Sequence, residues 1–406
     1  MKDVLFASYD MEVGGVERSL INLLDHFDYT NHKVDLMLYR HQGDFMNDIY
    51  PKVNVLKEVS QYATFRMPVT EILNNRHYTI GLTRIYSKLQ ASLVGKVKGK
   101  QEIGYYQMQL MWKYAFPFLP KLKKHYDVAI SYLWPHDFIA KKVTANQKIA
   151  WIHTDYSTIE TDNKLDLKVW DKFDQIVAVS ETCKEAFLKK YPQLKRKIIV
   201  IENINSPGFI REKAVEGHNK DHPMLSDKRF KLVTVARLSH AKGIDQAVKA
   251  FRLLKNRGYQ NLVWYIVGYG GDEEIIRRLI EKNNLTDSFV LLGKKTNPYP
   301  YIQSADLYVQ PSRYEGKAVT VTEAQILGKP ILITNYQTAK SQIRDQVDGY
   351  ITELSVEGIA NGIEDLYNNH ILRTSLAATC KNSDYSNTHE LEKLYKIMNG
   401  MEPNFL

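Results

Sequence analysis

Only two cysteines, Cys183 and Cys380, occur in 406 residues, and they stand far apart. That excludes a disulfide framework, points to a reducing cytosolic setting, and leaves no metal-site spacing. No apolar run approaches the ~18–20 residues of a membrane span. The opening MKDVLFASYDMEVGG has a short apolar run followed by acids, which reads as a first strand and not as a signal peptide. The Walker pattern G-x4-G-K-S/T is missing, so a P-loop ATPase is excluded. VGYGGDEE (267–274) begins like a dinucleotide fingerprint, but its third glycine would fall at 273, where Glu273 stands. No Asp-x-Asp occurs, which removes the usual carboxylate pair of metal-dependent sugar-nucleotide enzymes. No metal and no resident cofactor is expected.

The chain is too long for one ordinary domain and suits two. Apolar residues make up 44% and charged residues 25%, enough to bury large cores in a globular protein. The net charge is +9 and unevenly placed. Between 84 and 124 stand Arg84, Lys88, Lys96, Lys98, Lys100, Lys113, Lys121, Lys123 and Lys124 against one acid, Glu102. The rest of the chain is close to neutral. A general affinity for nucleic acid is therefore not expected, and one local basic surface is. Its lysines alternate with Tyr86, Tyr105, Tyr106, Trp112, Tyr114, Phe116 and Phe118. Tyr and Trp favour a membrane–water interface and Lys favours anionic headgroups, so three readings stand open for this stretch: an anionic membrane surface, a polyanionic acceptor, or buried aromatics beneath a solvated basic face.

Short β-branched runs alternate with helical patterns. VLFASY (4–9), KVDLMLY (33–39), DVAISYL (127–133), KIAWIH (148–153), QIVAVS (175–180) and IIVIEN (198–203) form a first series. NSPGFIREKAVEGHNKDHPMLSDK (205–228) is polar with Gly and Pro and reads as a linker. A second series follows: FKLVTVA (230–236), LVWYIVG (262–268), SFVLLG (288–293), ADLYVQ (305–310) and PILIT (330–334). The pattern predicts an α/β protein with two doubly wound, Rossmann-like parallel sheets. The expected domains are 1–205, a linker at 206–228, and 229–385, with a C-terminal helix at about 386–406 packing back on the first. Ligands of such sheets bind outside the carboxyl ends of the strands.

Four loops there carry candidate chemistry. Gly14 and Gly15 follow the first strand and open a helix, where backbone amides can meet a ligand. His153 ends KIAWIH. In VARLSHAKGID (235–245), Arg237 and Lys242 bracket a strand–helix junction, a planar fork and a point charge suited to a diphosphate. EGKAVTVTEAQ (315–325) places Glu315 and Glu323 eight apart around small and β-branched residues.

Taken in order, these features resemble the retaining glycosyltransferases of family 4, which have the GT-B fold of two Rossmann-like domains facing a central cleft. SRYEGKAVTVTEAQILGKPILIT most resembles enzymes that build bacterial surface polysaccharides and teichoic acids. The resemblance implies that Glu315 holds the donor sugar and Glu323 the ribose hydroxyls. The amides of Ala318, Val319 and Thr320 would meet the diphosphate, with Arg237 and Lys242 offsetting its charge. Gly14, Gly15, Gly268, Lys294, Gly316 and Lys317 join the implied donor site. His153 would touch the donor sugar or the acceptor, and Glu315, His153, Arg237 and Lys242 form the implied catalytic group. Many members read Glu-Gly-Phe-Gly where this chain has Glu315-Gly316-Lys317-Ala318, which leaves the donor sugar open. The implied activity is metal-independent, retaining transfer from a nucleotide sugar, UDP-linked by default. The implied acceptor is a glycan, a wall polymer or a lipid-linked glycan, met by a cytoplasmic or peripheral inner-membrane protein. A sugar-nucleotide epimerase of the same fold, or a non-catalytic sugar-nucleotide-binding partner of a transferase, are the alternatives.

Overall fold

The computed structural model describes residues 1–98, 104–157, 159–216 and 224–401, and for 95–98 the backbone only. It resolves into two compact units. The first comprises Met1–Glu12, Val16–Asn203 and the chain from His389 on; the second comprises Val13–Gly15 and Ile204–Thr388.

Among the described residues the first unit holds a parallel sheet of β1 (Lys2–Ser8), β2 (His32–Leu38), β3 (Asn54–Val55), β4 (His125–Ser131), β5 (Thr144–Ile152), β6 (Gln175–Ala178) and β7 (Ile198–Val200). Its spatial order is β3-β2-β1-β4-β5-β6-β7. The second unit holds β8 (Phe230–Val235), β9 (Leu262–Val267), β10 (Phe289–Gly293), β11 (Leu307–Gln310), β12 (Ile331–Thr334) and β13 (Tyr350–Thr352), ordered β10-β9-β8-β11-β12-β13. Both orders reverse beside their first strand, which is the doubly wound pattern.

Alternation along the strands explains why both faces of the second sheet are covered. Leu232, Trp264, Leu307, Val309 and Leu332 pack on one face with Ile244, Phe251, Ile359 and Ile363. Their neighbours Val233, Val263, Tyr265, Tyr308, Ile331 and Ile333 pack on the other with Tyr299, Val321 and Ala324. A strand buried on both faces reads as an unbroken apolar run, which is why these strands were visible in sequence.

The linker reading of 206–228 needs correcting in its first half. Pro207–Glu216 is a helix whose Ile210 and Ala214 join the second core. Polar residues on its outer side conceal two buried positions one turn apart. Residues 217–223 of that stretch lie outside the described residues. The terminal helix is Glu390–Met398, inside the first unit. It is tied there by Lys2 Nζ to the Met398 carbonyl at 2.8 Å and Gln147 Nε2 to the Ile397 carbonyl at 2.7 Å.

Candidate active site

The reversal in the second sheet lies between β8 and β11, and the loops after these two strands carry its charged residues. Backbone packing sets them. The loop after β8 runs beside the loop after β9, with Leu238 N donating to the Tyr269 carbonyl at 2.9 Å. The approach is so close that a Cβ on Gly268, at φ +149°, would stand 1.9 Å from the Ala236 oxygen. Gly243, at φ +66°, similarly lies under the Pro311 carbonyl after β11. Thus GYGG serves loop-to-loop packing here.

Glu315 is the hub of a polar network. Lys242 Nζ donates to its Oε1 and Oε2 at 2.6 and 2.5 Å. Ser312 Oγ and Gln310 Nε2 donate to Oε1 at 2.6 and 3.1 Å, and Tyr308 Oη donates to Gln310 Oε1 at 2.7 Å. Arg313 adds a brace, pairing Asp245 through both nitrogens at 2.7 Å and donating to the His240 carbonyl. Glu315 is 8% exposed, so its charge is offset by four hydrogen bonds from three donors and not by water. Arg237 is different. It is exposed, and among the described residues it makes no ion pair.

Glu323 is buried in the helix Val319–Ile326, its Oε1 accepting from Tyr299 Oη at 2.9 Å. The helix has no side-chain cap. The expectation of three open amides is corrected at Ala318, whose N–H donates to Gln342 Oε1 at 3.2 Å while its carbonyl accepts from Gln342 Nε2 at 2.5 Å. The amides of Val319 and Thr320 have no partner among the described residues, leaving two orphan donors at a helix N-terminus. Gly316 and Lys317 are half-buried between Glu315 and this helix, and Lys294 Nζ stands 5.1 Å above the Tyr269 ring.

Gly14 and Gly15 enter the helix Gly15–Asp25, and a Cβ on Gly15 would meet nothing within 4 Å, so packing does not require glycine there. His153 follows β5 in the first unit, with its ring 4.6 Å from Tyr132 and stacked on Trp151. Its Nε2 is enclosed without a hydrogen-bond partner among the described residues. Burial pushes its pKa down to about 3, so the imidazole is neutral at ordinary pH.

Several residues at these strand ends were not read from sequence. Gln310, Ser312, Tyr299 and Gln342 hold the two glutamates and the helix start; polar Gln310 ending an apolar strand was the available signal. In the first unit, His136 Nδ1 lies 2.8 Å from Ser131 Oγ, its Nε2 has no partner among the described residues, and burial lowers its pKa to about 3. Nearby Asp166 accepts from Trp134 Nε1 and Tyr191 Oη at 3.1 and 2.8 Å, and burial raises its pKa.

Comparison with known proteins accords with this architecture. Residues 218–383 match the family Glycosyl transferases group 1. The capsular polysaccharide biosynthesis glycosyltransferase CapM of Staphylococcus aureus is 28% identical over 50% of this chain and 54% of its own length. The poly(ribitol-phosphate) alpha-N-acetylglucosaminyltransferase of S. aureus is 26% identical over 57% of this chain and 45% of its own. This chain spans about half the length of the curated relatives it matches. Among solved structures, S. aureus TarM in complex with fondaparinux, alpha-GlcNAc-glycerol and UDP aligns over 98% of this chain and all of that one, at TM-score 0.67 and 17% identity. Anabaena HepE in complex with UDP aligns over 99% and 100%, at TM-score 0.66 and 15% identity. The protein has the GT-B fold. The matched stretch falls largely within the second unit, and the relatives include enzymes named for capsular polysaccharide and poly(ribitol-phosphate).

Proposed function

We propose that the protein is a retaining, metal-independent glycosyltransferase. It would move a hexose or N-acetylhexosamine from a UDP-sugar to a cell-surface polymer or a lipid-linked glycan. The observation that carries this reading is Glu315, held by Lys242, Ser312 and Gln310 at the sheet's reversal point, with the uncommitted Arg237 in the same strand–helix loop as Lys242.

In this reading Arg237 takes the diphosphate, together with the amides of Val319 and Thr320 at the helix start. Lys242 offsets the charge that grows on the leaving phosphate, which is electrostatic stabilisation where charge develops. Glu315 accepts from sugar hydroxyls and Glu323 from the ribose. His153 would contact the donor sugar or the acceptor as a neutral ring that carries no charge of its own. The acceptor hydroxyl attacks the anomeric carbon from the face the phosphate leaves, and its proton passes to the departing phosphate oxygen. Three relatives are named for alpha-linked transfer, among them an Escherichia coli UDP-Gal:alpha-D-GlcNAc-diphosphoundecaprenol alpha-1,3-galactosyltransferase. Common UDP-hexoses are alpha-linked, so alpha products fit retention, and that name supports a lipid-linked acceptor.

A thermal-shift screen across UDP-, GDP- and ADP-sugars tests the donor, followed by product analysis with the responding donor in EDTA. Stabilisation by a UDP-sugar and an alpha-linked product formed in chelator are expected. An inverted product, an epimerised donor, or activity restored only by magnesium would overturn the reading.

A further inference from the structure

The helix Tyr78–Lys98 has two apolar sides. One is buried: Ile80, Ser87 and Ala91 pack inward. On the other, Tyr78, Leu82, Ile85, Tyr86, Leu89 and Leu93 are each 40–65% exposed. At 100° per residue these six fall in one arc about 100° wide. A contiguous exposed stripe of this kind marks an interaction surface. The aromatics expected to dock are mostly elsewhere. Trp112 is wholly buried and Tyr105, Tyr106, Tyr114 and Phe116 are partly buried, so aliphatic side chains take the exposed positions.

Charge decides what covers the stripe. The helix carries Arg84, Lys88, Lys96 and Lys98 and not one acid. The side chains of Lys96 and Lys98, and the whole of Lys100 and Glu102, lie outside the described residues. Lys88 is exposed, and Lys113 reaches the stripe's margin through Tyr114, whose ring meets Tyr86 at 5.0 Å. Arg84 is held by the Thr64 carbonyl. A second copy pairing stripe to stripe would bring like charges together. An anionic lipid surface takes both the leucines and the lysines. No helix among the described residues is long and apolar enough to cross a membrane, so contact would be in the plane of the interface. We propose that this helix docks the protein on anionic lipid by inserting Leu82, Ile85, Leu89 and Leu93 between headgroups that Lys88 and Lys113 engage.

Flotation of the full chain with vesicles containing 30% phosphatidylglycerol, and with phosphatidylcholine alone, tests this without any assay of transfer. The wild type should float with the anionic vesicles and much less with the neutral ones. The variant Leu82→Ser, Ile85→Ser, Leu89→Ser, Leu93→Ser should lose about 30-fold or more in partitioning. Lys88→Gln with Lys113→Gln should lose about 3- to 10-fold and bind with weaker salt dependence. Light scattering in solution accompanies both. If the serine variant fails to fold, a dye on Leu89→Cys replaces it, and a blue shift on anionic vesicles is the expected result; Cys183 and Cys380 are buried and do not compete. Absence of wild-type binding, undiminished binding by the serine variant, an unshifted dye, or a dimer that the serine variant splits without loss of lipid binding would each overturn the proposal.

Discussion

The two units share a strand order but end their strands in different chemistry. At the carboxyl ends of β8 and β11, charge is paired and braced: Lys242 with Glu315, Arg313 with Asp245, and Tyr299 on Glu323. At the ends of β4 and β5, the residues are neutral rings. His136 and His153 are uncharged and each keeps an enclosed nitrogen without a partner, among Tyr132, Trp151 and Trp170. A charged cradle fixed in advance suits a ligand on which negative charge grows, such as a departing diphosphate, because little reorganisation is left for the moment of reaction. The enclosed rings of the first unit, by contrast, carry no charge at neutral pH.

The comparison is broken most directly at the cations. Arg237→Ala should lower kcat/KM by ~100-fold or more, the scale of losing a preorganised donor at a developing charge. Because Arg237 is exposed and unpaired, its melting temperature should barely move. Lys242→Ala should lose as much activity and also some stability, about 1–2 kcal/mol, since it strips a charged donor from buried Glu315. Equal melting curves for the two variants would contradict the bracing described for the network.

A milder cut sharpens the roles of the two glutamates. Glu323→Ala should raise donor KM by roughly 10-fold with less effect on kcat, whereas Glu315→Ala should chiefly lower kcat. Steady-state kinetics with the donor found by thermal shift separates them, and equal, mild effects would remove the assignment.

The smallest effect belongs to the first unit and appears as pH dependence. His136 is almost wholly buried with its pKa pushed down to about 3, against about 6.5 when unfolded. Between those values the unfolded chain binds the proton and the folded one does not. Its contribution to stability is therefore full above about pH 6.5 and declines as the pH falls toward 3. At pH 5.5 the loss from His136 alone should be about 1.4 kcal/mol, visible as a lower urea midpoint. His153 has the same lowered pKa, so His136→Gln should reduce that slope by about half.

The strands of both sheets were legible because each is buried on two faces and so writes an apolar run; only the short β3 and β13 escaped notice. The helix Pro207–Glu216 did not show, because a helix that buries little more than Ile210 and Ala214 looks polar in sequence. Glu315, Glu323, Arg237 and Lys242 stood out as candidates through their order and spacing together with the family resemblance. Their supports could not, since Tyr299 to Glu323 and Gln342 to Ala318 are each 24 residues apart and no local pattern ties them. The apolar stripe of the helix Tyr78–Lys98 was hidden differently. Leu82, Ile85, Leu89 and Leu93 have the spacing of any core-facing helix, and only the structure reveals that this side is turned outward.

The terminal helix Glu390–Met398 has a further consequence for how the protein is made. It belongs to the unit that begins the chain, and Lys2 holds its last carbonyl. A ribosome delivers the intervening unit, residues 204–388, before this helix exists. The charged cradle can thus assemble during synthesis, while the sheet of the first unit waits, one packed element short, until residues 390–398 have emerged.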